Sequence, residues 1–342
     1  MFKSAWVTSP KQISIIEKDF PPLSSRDVRV RVKACGICGT DIHFFREYPD
    51  GKPTPLGHEA VGVIEEIGSE TSGLEKGDRV VVQNHITCGR CNACLNRRPE
   101  ACTGIMTYMN DQAGMGEYLT VPESMVIKYD GLEAWEATVA EPLTVALDLC
   151  ENADIRLNSE VLILGPGIIG LCSIKIAQKR GARNIIIAGR GFDTERGAAR
   201  KKAAESLGAD FTLDTSEKGW KAELKKQFPG GFDRVIITAP PVTIPDGIEL
   251  AGFGADIIYN GISFSNDSVS FSANDLHFQK KNLITSHAIP NWGFPIALDM
   301  LKRGDISAPD LVTGRYPFEK IDEAFSEAQA IDKPVIKVVV EF

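Results

Sequence analysis

The chain has 342 residues, 43% hydrophobic and 25% charged, with a formal net charge of −8; that is ordinary globular composition, in an amount that suits about two domains. The acidic balance speaks against nucleic acid as a partner, because phosphate binding needs a basic face. No apolar run approaches the roughly 18 residues of a membrane span, and Met1–Pro10 lacks the apolar core of a secretory signal, so a cytoplasmic protein without a membrane partner is expected.

The first 130 residues predict short strands, among them Val28–Val32, Ala60–Ile67 and Val80–Val82, separated by glycine and proline joints. Residues 135–150 predict a helix that Pro142 should kink or break. From Glu160 onward, apolar strands alternate with helices: Val161–Leu164, a helix over 167–180, Ile185–Ala188, a helix over 195–207, then Val235–Ile237, Ile257–Tyr259 and Leu283–Thr285. Such alternation predicts a parallel sheet covered by helices on both faces. The basic run Arg200-Lys201-Lys202 reads as a solvated helix face. A last hydrophobic strand, Val335–Val340, is placed to rejoin the first domain. There is no internal repeat.

Three patterns carry chemistry. In VLILGPGIIG, Gly165, Gly167 and Gly170 have the G-x-G-x-x-G spacing directly after a strand and at the start of a helix. That is the fingerprint of a dinucleotide turn, in which Gly165-Pro166-Gly167-Ile168-Ile169-Gly170 brings backbone N–H groups to a pyrophosphate. The second strand of such a unit ends in an acidic residue when the ribose hydroxyls of NAD are bound. Here Gly189 stands at that position and Arg190 follows it, which favours the extra phosphate of NADP; Asp193, a few residues on, is the carboxylate that would favour NAD instead.

The second pattern is Cys88, Cys91, Cys94 and Cys102, four of the eight cysteines within fifteen residues. Four thiolates complete a tetrahedral zinc site and leave no position open, so this site is expected to be structural. The third is Cys38 with His58 and Glu59, a mixed donor set that leaves zinc an open position at which an alcohol can be polarised.

Taken together, GICGTD-x-H (Gly36–His43), GHE-x-x-G (Gly57–Gly62), the four-cysteine lobe, AEPL (Ala140–Leu143) and GPGIIG resemble the zinc-containing medium-chain dehydrogenase/reductase family, in its sorbitol (polyol) and threonine dehydrogenase-like branch. The resemblance implies an α/β protein: a GroES-like β-barrel catalytic domain of residues 1–145 and 285–342, with a zinc lobe at 88–102, and a doubly wound Rossmann domain of residues 146–284. It implies two zinc ions, one catalytic and one structural, and NADP or NAD. Cys38 and His58 would be catalytic-zinc ligands. Glu59 and Glu141 are two alternative acidic ligands, and Glu141 has the further reading of a helix residue that only bonds a water on the metal. Asp41 would orient the histidine ligand, Thr40 would contact the alcohol oxygen, and His43 would pass the proton to solvent, a task that suits imidazole. Lys337 matches a position that contacts cofactor phosphates. Cys35, Cys150 and Cys172 read as inert thiols.

The implied reaction is reversible oxidation of a secondary alcohol (a polyol, sugar-derived or amino alcohol) to a ketone, by a homodimer or homotetramer. The stretch SHAIPNWGFP carries His287 and no arginine where the sorbitol branch meets substrate hydroxyls, so sorbitol itself is not implied. Phe44, Phe45, Tyr108 and His287 are the expected pocket residues. Two other functions share these motifs: a zinc-dependent lyase or hydratase without net redox, and a zinc-stabilised dinucleotide-binding regulator.

Overall fold

A computed structural model describes residues 1–48, 51–287 and 292–342. By internal contacts the chain divides into two units, Met1–Glu141 with Ile289–Gln329 and Lys337–Phe342, and Pro142–Ala288 with Ala330–Ile336.

The first unit is organised by the strand Asp27–Gly36. Its valines at 28, 30 and 32 and Ala34 share one face and are buried, which fixes that face toward the core and hence the register. The strand pairs antiparallel with Glu59–Ile67 along its length, with Tyr118–Pro122 over residues 27–31, and with Lys337–Glu341 over residues 34–36. Beyond these lie Arg79–Val82, Val126–Lys128 and Val312–Pro317, which complete a seven-stranded sheet. One consequence of the register reaches the site: Gly36 is paired with Glu59, so the chain leaving the first strand toward Cys38 starts beside His58 and Glu59.

The second unit is a six-stranded sheet, parallel throughout. Its order is Phe211–Asp214, Asn184–Gly189, Glu160–Leu164, Phe232–Ile237, Ala251–Tyr259, Asn282–Thr285. In chain order this is 3-2-1-4-5-6, the doubly wound arrangement whose switch point falls between Glu160–Leu164 and Phe232–Ile237. Val161, Leu162, Ile163, Val235, Ile236 and Ile237 are all fully buried, as strands covered on both faces require.

Several local features depart from the sequence reading. The helix expected over 135–150 is two helices, Ala134–Ala137 and Ala140–Asn152. Pro142 is the third residue of the second one, where a missing N–H is harmless because the first turn has no acceptor for it. The strand Phe211–Asp214 has no apolar run to announce it; its side chains are exposed or half-buried at the sheet edge. Arg200 is not a solvated residue like Lys201 and Lys202: burial and the neighbouring Arg196 push its guanidinium down to about 9. No helix among the described residues is long and apolar enough to cross a membrane.

The glycines of the 165–170 turn have separable roles. A Cβ on Gly170 would lie 2.0 Å from the Gly165 carbonyl oxygen, whereas one on Gly167 meets nothing within 4 Å. Gly170→Ala is therefore expected to cost about 1–3 kcal/mol of stability through overpacking. Gly167→Ala is expected to stay within about 0.5 kcal/mol of wild type while weakening dinucleotide binding. Thermal unfolding and cofactor titration of the two variants check this; equal destabilisation by both would contradict it.

Candidate functional site

The helix Gly39–Glu47 begins at Cys38, its N-cap, where free N–H groups and the helix dipole favour an anionic group. Asp41 is the third helical residue, the capping-box position, and one of its carboxylate oxygens accepts from the Cys38 N–H at 2.9 Å. The other accepts from the Gly57 N–H at 2.8 Å and lies 3.8 Å from His58 Nδ1. A single carboxylate, 1% exposed, thus ties the Cys38 turn to the segment that carries His58 and Glu59.

Cys38, His58 and Glu59 converge, one ligand atom of each lying within 4.8 Å of the others. His58 and Glu59 are buried, and His58 Nδ1 has no hydrogen-bond partner among the described residues. Burial opposes protonation of His58, yet the negative charges of Cys38 and Asp41 prevail and raise its pKa well above the ordinary value. Soft and hard donors, an imidazole with a carboxylate behind it, and an excess of buried negative charge together fit a divalent zinc ion.

Glu141 lies outside this trio. It is 7% exposed, and its Oε1 accepts from Asn84 Nδ2 at 2.9 Å. Burial first, and Glu59 after it, push its carboxyl up to about 7, against the pull of His58. The Thr40 hydroxyl oxygen lies 3.8 Å from Cys38 Sγ. His43 is one turn further along the helix, partly exposed, its Nδ1 3.3 Å from Glu47 Oε1.

Lys337 is where the sequence reading did not put it. Its ammonium is 2% exposed, donates to the Ile37 carbonyl at 2.9 Å and pairs with the Glu59 carboxylate. Tyr108 is 3% exposed, its hydroxyl buried within electrostatic reach of Glu141, Asp41 and Glu59. Phe45 packs on Phe325, ring centroids 5.4 Å apart. His287 is exposed, and residues 288–291 of SHAIPNWGFP lie outside the described residues. The thiols of Cys35 and Cys150 are pushed up by burial, Cys150 to about 12, which makes them inert.

The four-cysteine lobe assembles as a cluster of its own. Its sulfurs stand 3.5 Å (Cys91 to Cys94), 3.8 Å (Cys91 to Cys102) and 3.6 Å (Cys88 to Cys102) apart. Zinc–sulfur bonds of about 2.3 Å give a tetrahedron with edges of about 3.8 Å, and disulfides would need about 2.05 Å. Backbone N–H groups of Cys91 and Cys88 point at sulfurs of the cluster, and donors from Cys94 and Thr103 hold the Cys91 thiol down to about 5.

In the second unit, the helix Ile168–Lys179 starts at Gly167. Thr238 donates to the Gly165 carbonyl at 2.9 Å and braces the turn. Pro166 packs on Gly189: a Cβ there would meet the proline ring at 2.4 Å. Glycine at 189 is therefore demanded by the turn itself, and an acidic side chain has no room there. Arg190 is exposed directly after it. Sequence reasoning missed Asp214, whose carboxylate accepts from the Phe192, Gly191 and Ser216 N–H groups and shapes the loop after Gly189. Asp193, by contrast, is exposed.

Residues 24–131 match the alcohol dehydrogenase GroES-like domain, and residues 169–303 match the zinc-binding dehydrogenase domain. The starvation-sensing protein RspB of Escherichia coli K12 is 30% identical, over 99% of this chain and 99% of that protein. The chain belongs to the zinc-binding alcohol dehydrogenase family. D-arabitol-phosphate dehydrogenase of Enterococcus avium is likewise 30% identical, over 96% of this chain and 94% of its own length. The crystal structure of the rspB alcohol dehydrogenase of Escherichia coli CFT073 with NADH matches with a TM-score of 0.88 at 29% identity, covering 100% of this chain and 99% of that one. As a member of this family the protein is an enzyme, a zinc-dependent oxidoreductase of small alcohols that uses a nicotinamide dinucleotide.

Two donor sets of different character predict two zinc ions per chain. Elemental analysis should find two in wild type and about one in Cys38→Ser with the fold kept, whereas Cys94→Ser should lose stability, since a structural zinc contributes folding free energy directly. Full stability with no turnover in Cys94→Ser would mean that the two sites are reversed.

Proposed function

We propose that the enzyme oxidises a secondary alcohol of a polyol or sugar-derived substrate to the ketone, reversibly, with Cys38, His58 and Glu59 holding the catalytic zinc and NADP preferred over NAD. The observation that carries the reading is the convergence of those three donors with the Thr40 hydroxyl 3.8 Å from Cys38 Sγ. Zinc held there supplies a Lewis acid that makes an alcohol easier to deprotonate. The Thr40 hydroxyl accepts the hydrogen bond of the substrate hydroxyl and fixes its oxygen. His43, at the exposed end of the same helix turn, receives the proton and releases it to solvent, with Glu47 as its partner. Asp41, 3.8 Å from His58 Nδ1, places its negative charge behind the imidazole. The Gly165–Gly170 turn would hold the nicotinamide dinucleotide, which would supply the hydride acceptor.

The cofactor preference rests on the corner after Gly189. No carboxylate fits at 189, so nothing there repels a 2′-phosphate, and Arg190 offers an exposed guanidinium. Arg196 and Arg200, close enough to repel each other, add positive potential to the helix that follows. Assembly into a homodimer or homotetramer is part of the proposal, supported by the exposure of Phe253 and Phe278 beside the edge strand Asn282–Thr285.

Absorbance at 340 nm, followed over polyols, aldonates, amino alcohols and simple alcohols with both cofactors, tests the reading. Substrate-dependent reduction of NADP is expected; Arg190→Ala should weaken NADP alone, and His43→Ala should slow turnover roughly ten- to a hundred-fold at neutral pH. Non-redox consumption of substrate, or no turnover at all, would favour the lyase or regulator reading. A preference for NAD that ignores Arg190→Ala would overturn the cofactor assignment.

A further inference from the structure

Two buried glutamates flank Cys38 and His58, and only one of them joins the ligand group. Cysteine, histidine and two glutamates together would give zinc four protein ligands and close the site to substrate. We infer that Asn84 is the positioning residue that prevents this: its side-chain amide holds Glu141 outside the ligand set and so keeps one position at the metal open. The inference rests on the three-ligand zinc centre proposed above.

Asn84 and Glu141 are each 7% exposed, and Asn84 Nδ2 donates to Glu141 Oε1 at 2.9 Å. The donor stands on a rigid base. It follows the strand Arg79–Val82, which is paired on one side with Glu59–Ile67 and on the other with Val126–Lys128. The intervening Gln83 is pinned twice, its N–H to the Met125 carbonyl at 2.7 Å and its side-chain amide to the Ser124 carbonyl at 3.2 Å. Glu141 is the second residue of the helix Ala140–Asn152, in its first turn. An amide held just past the end of a paired strand is poorly placed to follow the carboxylate, so a move of Glu141 toward the metal breaks a buried hydrogen bond. The donor is also neutral. Glu59 is paired with the ammonium of Lys337, whereas Glu141 receives a directional hydrogen bond from an uncharged amide.

The test loads cobalt(II) in place of zinc and reads the visible spectrum of the catalytic centre as the difference from Cys38→Ser protein, with imidazole as an added ligand. The wild-type spectrum should shift as imidazole takes the open position. In Asn84→Ala, Glu141 should occupy that position: the shift should be lost or need at least about ten-fold more imidazole, and zinc should bind more tightly in a chelator competition. Asn84→Ala/Glu141→Ala should recover the wild-type response, which a merely structural role for Asn84 would not produce. Asn84→Leu, with the same branching and number of side-chain heavy atoms, replaces Asn84→Ala in both proteins if the alanine variant does not fold. An unchanged imidazole response in the Asn84 variants, or no recovery in the double variant, would overturn the inference alone. No Cys38-dependent spectrum in wild type would overturn the metal centre, and the inference with it.

Discussion

The proposed catalytic centre is tied together by one carboxylate. Cys38 and His58 are twenty residues apart on separate segments, which the pairing of Gly36 with Glu59 sets side by side. Asp41 ties the two segments together by accepting from the N–H of Cys38 on one side and of Gly57 on the other, with His58 Nδ1 3.8 Å from the oxygen that Gly57 meets. The first bond is ordinary helix capping, worth making in any protein. The second uses the same group to reach across to the metal-ligand segment. Helix start and segment docking are therefore one interaction, with the His58 ring beside it, and the GTD of the sequence places it.

The two zinc sites solve different problems. The cysteine lobe is a short loop whose four sulfurs satisfy the ion completely, so its contents follow from spacing alone. The proposed catalytic centre would have to do the reverse and leave zinc unsatisfied while surrounded by buried acid. Lys337 and Asn84 are the counterweights, one a charge against Glu59 and the other a neutral donor to Glu141. Neither has a motif, because each acts on a glutamate far away in sequence.

This marks where the sequence was legible and where it was not. Periodicity found the buried strands Val161–Leu164, Ile185–Ala188 and Val235–Ile237, because strands covered on both faces must be continuously apolar. It missed Phe211–Asp214, an edge strand with no buried face to declare it. The glycine spacing at 165–170 was readable because the turn geometry demands it. Gly189 was read through what it lacks, an acid; the structure gives the steric cause in Pro166, twenty-three residues earlier. Arg200 was misread because a basic run looks solvated unless its tertiary neighbours are known. Lys337 matched a familiar position, but burial beside Glu59 decides what its ammonium does.

The measurement closest to the central claim is the zinc affinity of Asp41→Asn, set against its thermal stability. The amide keeps the shape of the carboxylate but carries no charge, and it accepts at one position rather than two. The account predicts that zinc at the catalytic centre weakens about 10- to 100-fold, as loss of a partner behind a histidine ligand does. The four-cysteine site should keep its zinc, and the unfolding temperature should move little. Wild-type affinity at the catalytic centre in Asp41→Asn would contradict the claim that this carboxylate assembles it.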